Sequence, residues 1–382
     1  MKVSKKNKII ALWCASVIAG SISLTGIGIL TITNDPSALF RFFHTYQLIH
    51  KEYFRDISDT ALLDGASKGM VAALDDPYSA LLTGDTFNSF MQQTNGEYGG
   101  VGVVIGEDGS GSFRVLAVFP GSSAEKGGVL PGDTLSAIDG KPISGMTLED
   151  AAHGIRGEAG TTVKLDVVRN GNPVSITLER SNVSMPTVQA NMVSQDIGYI
   201  HIFSFAKHTP EEFAREYDRL SQEGMKKLII DVRMNPGGMI DSVVAVADKI
   251  LSSGPVVSYQ EKGGSVQRFD IKGTDHVIPM AVLIDKNSAS ASEILAGAVQ
   301  DKKEGVIIGE NSYGKGTVQM VLPMANNSEA LKLSIAQYLT AAGRKIDKVG
   351  IQPDIPVAQT GRIFDPATDN VLWTAIGELE RK

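Results

Sequence analysis

The chain has 382 residues, of which 42% are hydrophobic and 21% charged, a balance that excludes a disordered chain and predicts two or three folded domains. Its net charge is −7, and four lysines lie among the first eight residues, so the remainder is more acidic still, which argues against nucleic-acid binding. The single cysteine, Cys14, excludes a disulfide framework, a thiol nucleophile and a cysteine zinc site from the folded part.

The N-terminal residues predict a membrane anchor. Residues 9–32 carry no charge, and roughly 20 apolar residues suffice to cross the hydrocarbon core. With the lysine-rich tail 1–8 before it and Asp35 after it, the positive-inside tendency predicts a single-pass protein of a bacterial cytoplasmic membrane, with its bulk outside. A cleaved signal peptide is the alternative, although the apolar run is long and lacks an Ala-x-Ala site. The bulky Trp13 disfavours lipidation of Cys14.

Residues 37–92 predict a small helical region, because apolar side chains recur at helical spacing. Residues 74–79 break this pattern, since Pro77 disfavours helical backbone at the residue before it. The adjacent carboxylates Asp75 and Asp76 are either an acid/base couple or a turn. The neighbouring proline favours the turn.

Residues 96–182 change to short strands separated by glycines, with a helix at 147–155 and a hairpin at Asn170-Gly171. This module resembles a PDZ domain, whose glycine-rich loop binds a peptide's terminal carboxylate while the peptide adds to the sheet as a strand. The implied ligand is a protein C-terminus. An ordinary β-bulge is the structural alternative for the loop. The residues that the resemblance assigns to peptide binding are Gly100, Val101, Gly102 and Val103.

Residues 190–360 alternate strands and helices, which predicts an α/β core with a buried sheet. A C-terminal helical segment is expected over 361–382. The strands are expected at 197–202, 228–233, 280–284, 305–308 and 332–339, and the helices at 209–222 and 292–300.

Three serines, Ser288, Ser290 and Ser292, stand at a predicted strand-to-helix turn, which can expose a nucleophile. Spacing alone does not choose among them, and Ser292 is also a candidate N-cap. A serine nucleophile needs a base, and Lys315, between two glycines, can act as one if burial lowers its pKa. Gln319, four residues on, can hold the amine without adding a charge.

Two other interpretations compete with a Ser-Lys site. The segment 309–315 is close to a phosphate-binding loop, but Gly316 replaces its Ser or Thr and a strand is predicted to follow instead of a helix. An ordinary surface lysine in a glycine turn is the structural alternative. A histidine base would need His201 or His276, since only these two of the six histidines are placed to approach the core.

Six ordered segments resemble the C-terminal processing peptidases, also called tail-specific proteases, from about residue 45 to the C-terminus. They are 74–80, the PDZ-like module, 231–238, 288–293, 314–319 and 350–355. The resemblance implies a ClpP/crotonase-like α/β protease core with an inserted PDZ domain. The predicted fold adds an N-terminal helical segment after the single transmembrane helix that the uncharged run predicts. It makes Ser290 the nucleophile, Lys315 the general base and Gln319 the residue that orients Lys315.

The resemblance also implies an oxyanion hole formed by the backbone N–H groups of Gly238 and Ala291. Arg156 resembles an arginine that links the PDZ domain to the active site in relatives, and a solvated arginine at a helix end is its alternative. The predicted protein is a membrane-anchored serine endopeptidase that binds protein C-termini. A catalytically silent PDZ scaffold is the alternative. No metal, nucleotide or other cofactor is expected, and the oligomeric state stays open, with a homo-oligomer as one alternative.

Overall fold

The computed structural model describes residues 35–107, 112–119, 121–324, 329–365 and 367–381. The predicted cytoplasmic tail, 1–8, and membrane anchor, 9–32, lie outside these ranges. Within them, none of the helices is both long enough and apolar enough to span a bilayer. The chain divides into two compact units, and the second begins at Asp76.

Two helices form the described part of the first unit. Helix α1 (Pro36–Glu52) begins at an Asp35 N-cap with proline as its first residue, and α2 (Asp59–Ala72) begins at a Ser58 N-cap. The Tyr46 hydroxyl of α1 donates to the Asp59 carboxylate of α2 at 2.7 Å. Neither helix has a fully buried residue.

The prediction of a helical region over 37–92 needs a correction. Residues Ala80–Thr83 form a strand, β1, before the next helix, α3 (Gly84–Asn95). β1 pairs antiparallel with a segment near residue 331, and this pairing buries Leu82. The sequence around β1 contains no sign of a partner some 250 residues away, so its local pattern did not identify the strand.

A β-rich module follows, built on a six-stranded antiparallel sheet in the order β3-β4-β5-β7-β8, with β6 pairing β5. Asn170 and Gly171 both have positive φ, which is typical of the predicted type of hairpin turn. Its elements are β2 (Glu97–Gly100), β3 (Val103–Glu107), β4 (Phe113–Val118), α4 (Ser123–Lys126), β5 (Thr134–Ile138), β6 (Lys141–Pro142), α5 (Leu148–Ile155), β7 (Thr162–Arg169), β8 (Asn172–Glu179) and β9 (Ser181–Ser184).

The α/β core is built on a second six-stranded sheet, in the order β10-β11-β12-β15-β16-β19. All its neighbouring strands are parallel except β10, which runs antiparallel to β11. The strands and helices predicted here are confirmed to within a few residues. The elements are β10 (Val188–Met192), β11 (Ile197–Ile202), α6 (Thr209–Gln222), β12 (Lys227–Asp231), α7 (Ile240–Ile250), β15 (Met280–Ile284), α8 (Ala291–Lys302), β16 (Gly305–Gly309), β19 (Ile355–Pro356) and α9 (Asn370–Glu380).

Alternate residues of this sheet enter two hydrophobic clusters, one on each face. Ile230 and Val282 pack with residues of α6, α7 and α8, whereas Ile229 and Leu283 pack with residues of α9. The sheet is therefore covered by helices on both faces, and its loops carry the polar residues.

A third sheet places β18 beside this core. Its strands are β13 (Gly254–Glu261), β14 (Val266–Ile271), β17 (Thr317–Pro323) and β18 (Glu329–Thr340), together with β1. The order is β1-β18-β13-β14, and β17 pairs along β18. Because β17 is a strand, the residues after Lys315 lack the helix that a phosphate-binding loop requires.

A buried ion cluster ties the C-terminal helix to the segment that follows β12. Arg233, 1% exposed, donates to the carboxylates of Asp231 and Asp369, the latter at 2.7 Å. Asp369 is the N-cap of α9, and the Tyr199 hydroxyl donates to Asp231 at 2.7 Å. A buried charge needs such partners, because removing one leaves the other unpaired. The cluster fixes the chain just before the Pro236-Gly-Gly turn.

Candidate active site

Two of the three serines after β15 are hydrogen-bonded to the main chain. The Ser288 hydroxyl donates to the Val232 carbonyl at 2.8 Å, and the Ser292 hydroxyl donates to the Asn235 carbonyl at 3.0 Å. Both serines are fully buried. Their hydroxyls therefore fasten the serine turn to the segment after β12.

Ser290 has a different environment. It is the N-cap of α8, and its φ of 55° is rare for a serine. Such a conformation is typical of a nucleophile held at a sharp strand-to-helix turn. Ser290 keeps 7% exposure, and its side chain lies close to the buried Tyr338 side chain on β18. Among the three serines, it has the hydroxyl best placed to meet a substrate carbonyl.

Lys315 lies half-buried in the loop before β17. Its Nζ is 5.0 Å from the centroid of the Tyr78 ring, within cation–π range. Burial lowers the pKa of Lys315, and the positive charge of Lys332 lowers it further. Glu293 and Asp76 act on this pKa in the opposite direction. The net lowering is in the direction that a lysine base requires.

The Glu293 carboxylate joins the serine turn to the lysine loop. One oxygen accepts the backbone N–H groups of Ser290 at 2.8 Å and Lys315 at 2.9 Å. The other accepts the Ser312 hydroxyl at 2.6 Å and the Gly314 N–H at 2.7 Å. Glu293 is fully buried, and burial raises its pKa although these hydrogen bonds oppose the rise. One side chain thus sets the distance between the two backbone segments.

A local signal in the sequence could have predicted one of the hydrogen bonds of Glu293. Ser-x-x-Glu at the start of a helix is a capping-box pattern, and Glu293 does accept the N–H of its N-cap, Ser290. The bonds to the lysine loop, about twenty residues further on, are tertiary and have no local signature.

The structure does not bring the Gln319 amide onto Lys315. Gln319 donates to the Thr317 carbonyl at 3.0 Å, to the Thr317 hydroxyl at 2.8 Å and to the Ser334 hydroxyl at 3.2 Å. Within the described ranges, neither Gln319 nor the Ser290 hydroxyl is hydrogen-bonded to the Lys315 amine. Gln319 is therefore bonded within its own strand, β17, and to the neighbouring strand β18.

The Pro-Gly-Gly turn lies directly beside the serine turn. Gly237 has a φ of 104°, and a Cβ there would lie 2.8 Å from the Ser290 Cβ and 2.9 Å from the Ala291 nitrogen, so glycine is required. The Asn235 side chain accepts the Gly237 N–H at 2.8 Å. The N–H groups of Gly238 and Ala291, predicted to form an oxyanion hole, have no acceptor among the described residues. Uncommitted donors beside a nucleophile are what an oxyanion hole needs.

The β-rich module has an open strand edge. Among the described strands, β3 pairs with β4 alone. A cavity of about 180 Å³ follows this edge, and the predicted peptide-binding residues Val101, Gly102 and Val103 line it. Gly100 does not line it and pairs instead with Ser181 of β9. The edge and the cavity together can take a peptide as an added strand.

A larger cavity, of about 790 Å³, shares lining residues with this groove and is also lined by the first residue of the Pro-Gly-Gly turn. Tyr98, Phe119, Arg156 and Met185 line both cavities, and Pro236 lines the larger one. The Arg156 Cζ is 5.2 Å from the centroid of the Tyr98 ring. Arg156 is also the one charged side chain among the described residues that line the larger cavity.

The two candidate histidine bases lie apart from Ser290. His201 is buried on β11 between Phe203 and Phe364, with ring centroids 4.1 Å apart in both pairs, and burial lowers its pKa. His276 is exposed. Nothing in the described hydrogen bonds joins either ring to Ser290, which leaves the histidine alternative without structural support.

The sequence matches three protein-family models. They are peptidase family S41 over residues 196–357, a PDZ domain over 114–169 and the N-terminal domain of the activating protease CtpB over 31–86. The first covers the α/β core from β11 to β19, and the second covers β4 to β7 of the β-rich module, which is therefore a PDZ domain.

Curated relatives match over most of the chain. A carboxy-terminal-processing protease of Bartonella bacilliformis is 36% identical over 335 residues, 85% of this chain and 76% of that protein. The carboxy-terminal processing protease CtpB of Bacillus subtilis is 35% identical over 321 residues, 82% of this chain and 66% of that protein.

Two solved structures share the fold. A photosystem II D1 C-terminal processing protease superposes with a TM-score of 0.52 at 29% identity, covering 90% of each chain. An S41 protease of Bacteroides fragilis has a TM-score of 0.52 at 15% identity, covering 86% of this chain and 91% of its own, and at that identity it supports the fold alone.

Glu293→Gln tests the link between the serine turn and the lysine loop. The substituted amide turns an NH₂ towards two of the four donors, so the unfolding free energy should fall by about 2–3 kcal/mol and kcat/KM by about a hundredfold. Denaturant unfolding and cleavage of a fluorogenic peptide measure these effects. Glu310→Gln is the matched control, because the Glu310 side chain makes no hydrogen bond or ion pair with the described residues. Wild-type activity in Glu293→Gln would contradict the assigned role.

Proposed function

Because the chain belongs to the carboxy-terminal processing proteases of peptidase family S41, and is a serine peptidase with a PDZ domain, we propose that Ser290 and Lys315 form its catalytic dyad. Its substrates are proteins or peptides. One observation carries the proposal: the hydroxyls of Ser288 and Ser292 are bonded to main-chain carbonyls, whereas that of Ser290 is not.

In the proposed reaction, the neutral Lys315 amine accepts the Ser290 hydroxyl proton as Oγ attacks the scissile carbonyl. The carbonyl oxygen becomes an oxyanion that the N–H groups of Gly238 and Ala291 stabilise, each donor contributing about 3–4 kcal/mol. Lys315 then returns the proton to the leaving amine, and water hydrolyses the acyl-enzyme by the same route.

Lys315 needs a lowered pKa for this role. Activity that requires the neutral amine rises as pH rises through the pKa of Lys315, which burial and Lys332 hold below its ordinary value of 10.5. Gln319 is proposed to orient the amine through its side-chain oxygen, since its NH₂ group is bonded to Thr317 and Ser334.

We further propose that the PDZ domain binds substrate C-termini. The open edge of β3 offers backbone groups to an added strand, and Val101, Gly102 and Val103 line the adjoining cavity. Arg156 lines this cavity and the larger one that includes Pro236, so it is proposed to respond to a bound carboxylate. A substrate tail held there would direct the preceding chain towards Ser290.

The catalytic part is proposed to lie outside a bacterial cytoplasmic membrane, anchored by residues 9–32. The support is the uncharged run preceded by four lysines, and the similarity to carboxy-terminal processing proteases of two bacteria. A silent PDZ scaffold is the competing function, and Ser290, Lys315 and the uncommitted N–H groups of Gly238 and Ala291 disfavour it.

Ser290→Ala and Lys315→Met test the dyad in the full-length chain, solubilised in detergent. Each should lower kcat/KM for an unfolded protein substrate by about a thousandfold or more, because the nucleophile or its base is lost. Ser221→Ala and Lys226→Met remove an exposed serine and an exposed lysine of the same core and should cleave at the wild-type rate. Wild-type cleavage by Ser290→Ala or Lys315→Met would refute the dyad. A wild-type chain that binds C-terminal peptides without cleaving any would favour the scaffold.

A pair of peptides tests recognition of the C-terminus. The Ser290→Ala chain should bind a peptide with a free C-terminal carboxylate at least about tenfold more tightly than the same peptide ending in an amide, because charge-assisted hydrogen bonds are lost with the amide. Fluorescence anisotropy gives both dissociation constants. Equal affinity for the two peptides would argue against carboxylate capture, whatever the outcome for the dyad.

A further inference from the structure

A tyrosine ring lies against the amine of the candidate base. The centroid of the Tyr78 ring is 5.0 Å from the Lys315 Nζ, within the range of a cation–π contact. The amine makes no hydrogen bond or ion pair with the residues that the structure describes. Both side chains are half-buried, so the contact is partly shielded from water, which strengthens it.

The backbone of the lysine loop is fixed, but this does not locate the amine. The Lys315 N–H donates to the Glu293 carboxylate at 2.9 Å, and the Gly316 carbonyl accepts the Tyr338 N–H at 2.7 Å. A lysine amine stands at the end of a flexible stem of four carbons. A contact at the amine itself is needed to hold it in one place, and the Tyr78 ring provides one.

The turn that carries Tyr78 is fastened to β18. The Asp76 carboxylate accepts the Tyr78 N–H at 3.1 Å and the Ser79 hydroxyl at 2.5 Å. The Ser79 oxygen in turn accepts the Ser334 N–H of β18 at 3.0 Å, and β1 begins at the next residue and pairs along β18. The carboxylate of Asp76 thus serves a turn, and that turn fixes the place of the ring.

The Tyr78 hydroxyl does not compete with Lys315 for the role of base. Burial and the neighbouring Tyr313 raise the pKa of Tyr78 to about 12, whereas burial lowers the pKa of Lys315. The phenol is therefore neutral wherever Lys315 titrates. The face of a neutral aromatic ring is negative, so it attracts an ammonium more strongly than an uncharged amine.

We propose that Tyr78 is a positioning residue for the general base: its ring face locates the Lys315 amine and stabilises the ammonium that forms as Lys315 takes the Ser290 proton. This inference rests on the proposed role of Lys315 as base. The attraction is stronger in the transition state, where the amine gains positive charge, than in the resting enzyme with a neutral amine. Loss of the ring should therefore lower kcat and leave KM nearly unchanged.

Steady-state kinetics of the full-length chain with a fluorogenic peptide test this role. At the high-pH plateau, Tyr78→Leu should lower kcat about tenfold with KM within about twofold of wild type, because the ring is lost while apolar bulk remains. Tyr78→Phe keeps the ring and should keep kcat within about threefold. Tyr217→Leu is the matched control: it removes another half-buried ring, 5.4 Å from the Lys249 Nζ, and should cleave at the wild-type rate.

Fluorinated phenylalanines at position 78 separate the charge distribution of the ring from its packing. Fluorine weakens the negative face while the ring keeps its shape, so kcat should fall stepwise from phenylalanine to its pentafluoro form, with an unchanged free energy of unfolding. The acidic limb of the pH profile should move to lower pH in the same series, because the ammonium form of Lys315 loses support. The titratable groups that act on the pair stay in place throughout: Lys332 on β18, Glu293 on α8, Asp76, Asp347 and Tyr313.

Wild-type kcat in Tyr78→Leu, or a constant kcat across the fluorinated series, would overturn the inference and reduce the ring to packing. A change confined to KM would do so as well, since it would mark Tyr78 as a substrate contact. Adding Tyr78→Leu to Lys315→Met should lower the residual rate no further, because the ring acts through the amine. Failure of the dyad itself is distinguishable, because it would appear as retained activity in Lys315→Met alone.

Discussion

The four hydrogen bonds to the Glu293 carboxylate are the constraint on which the candidate site depends. The serine turn and the lysine loop come from separate parts of the chain, and this buried side chain accepts N–H groups from both. Burying a carboxylate is costly unless donors surround it, and here each oxygen receives two. The same bonds occupy the N–H of Ser290 and leave that of Ala291 uncommitted. One arrangement therefore fixes the serine turn and keeps the Ala291 N–H uncommitted for the proposed oxyanion hole.

The strand β18 supplies the other side of the site. The Tyr338 side chain lies close to Ser290, and the Ser334 hydroxyl accepts the Gln319 amide at 3.2 Å. These contacts occur in order along one strand, whose pairing with β1 and β17 fixes their spacing. The Ser290 side chain lies close to Tyr338, and the Lys315 Nζ lies 5.0 Å from the centroid of the Tyr78 ring.

Much of the core could be predicted from the sequence, because its parallel strands are continuous apolar runs between clear helix signals. Strand 280–284 and helix 209–222 were predicted at the observed limits. The choice of Ser290 needed the family resemblance, since spacing left three serines equal, and the bonds of Ser288 and Ser292 to carbonyls give an independent reason for it. The strand β1 and the bond of Gln319 to Ser334 could not be predicted, because they depend on pairing between separate strands, and local periodicity carries no information about register.

Covalent labelling tests the central claim, that Ser290 is a nucleophile activated by Lys315, most directly. A serine-reactive fluorophosphonate should attach to one residue of the full-length chain, and peptide mass spectrometry should locate it at Ser290. The labelling rate should rise with pH as Lys315 loses its proton, and Lys315→Met should abolish this rise together with most of the labelling. Attachment at Ser288 or Ser292, or labelling of Lys315→Met at the wild-type rate, would contradict the account.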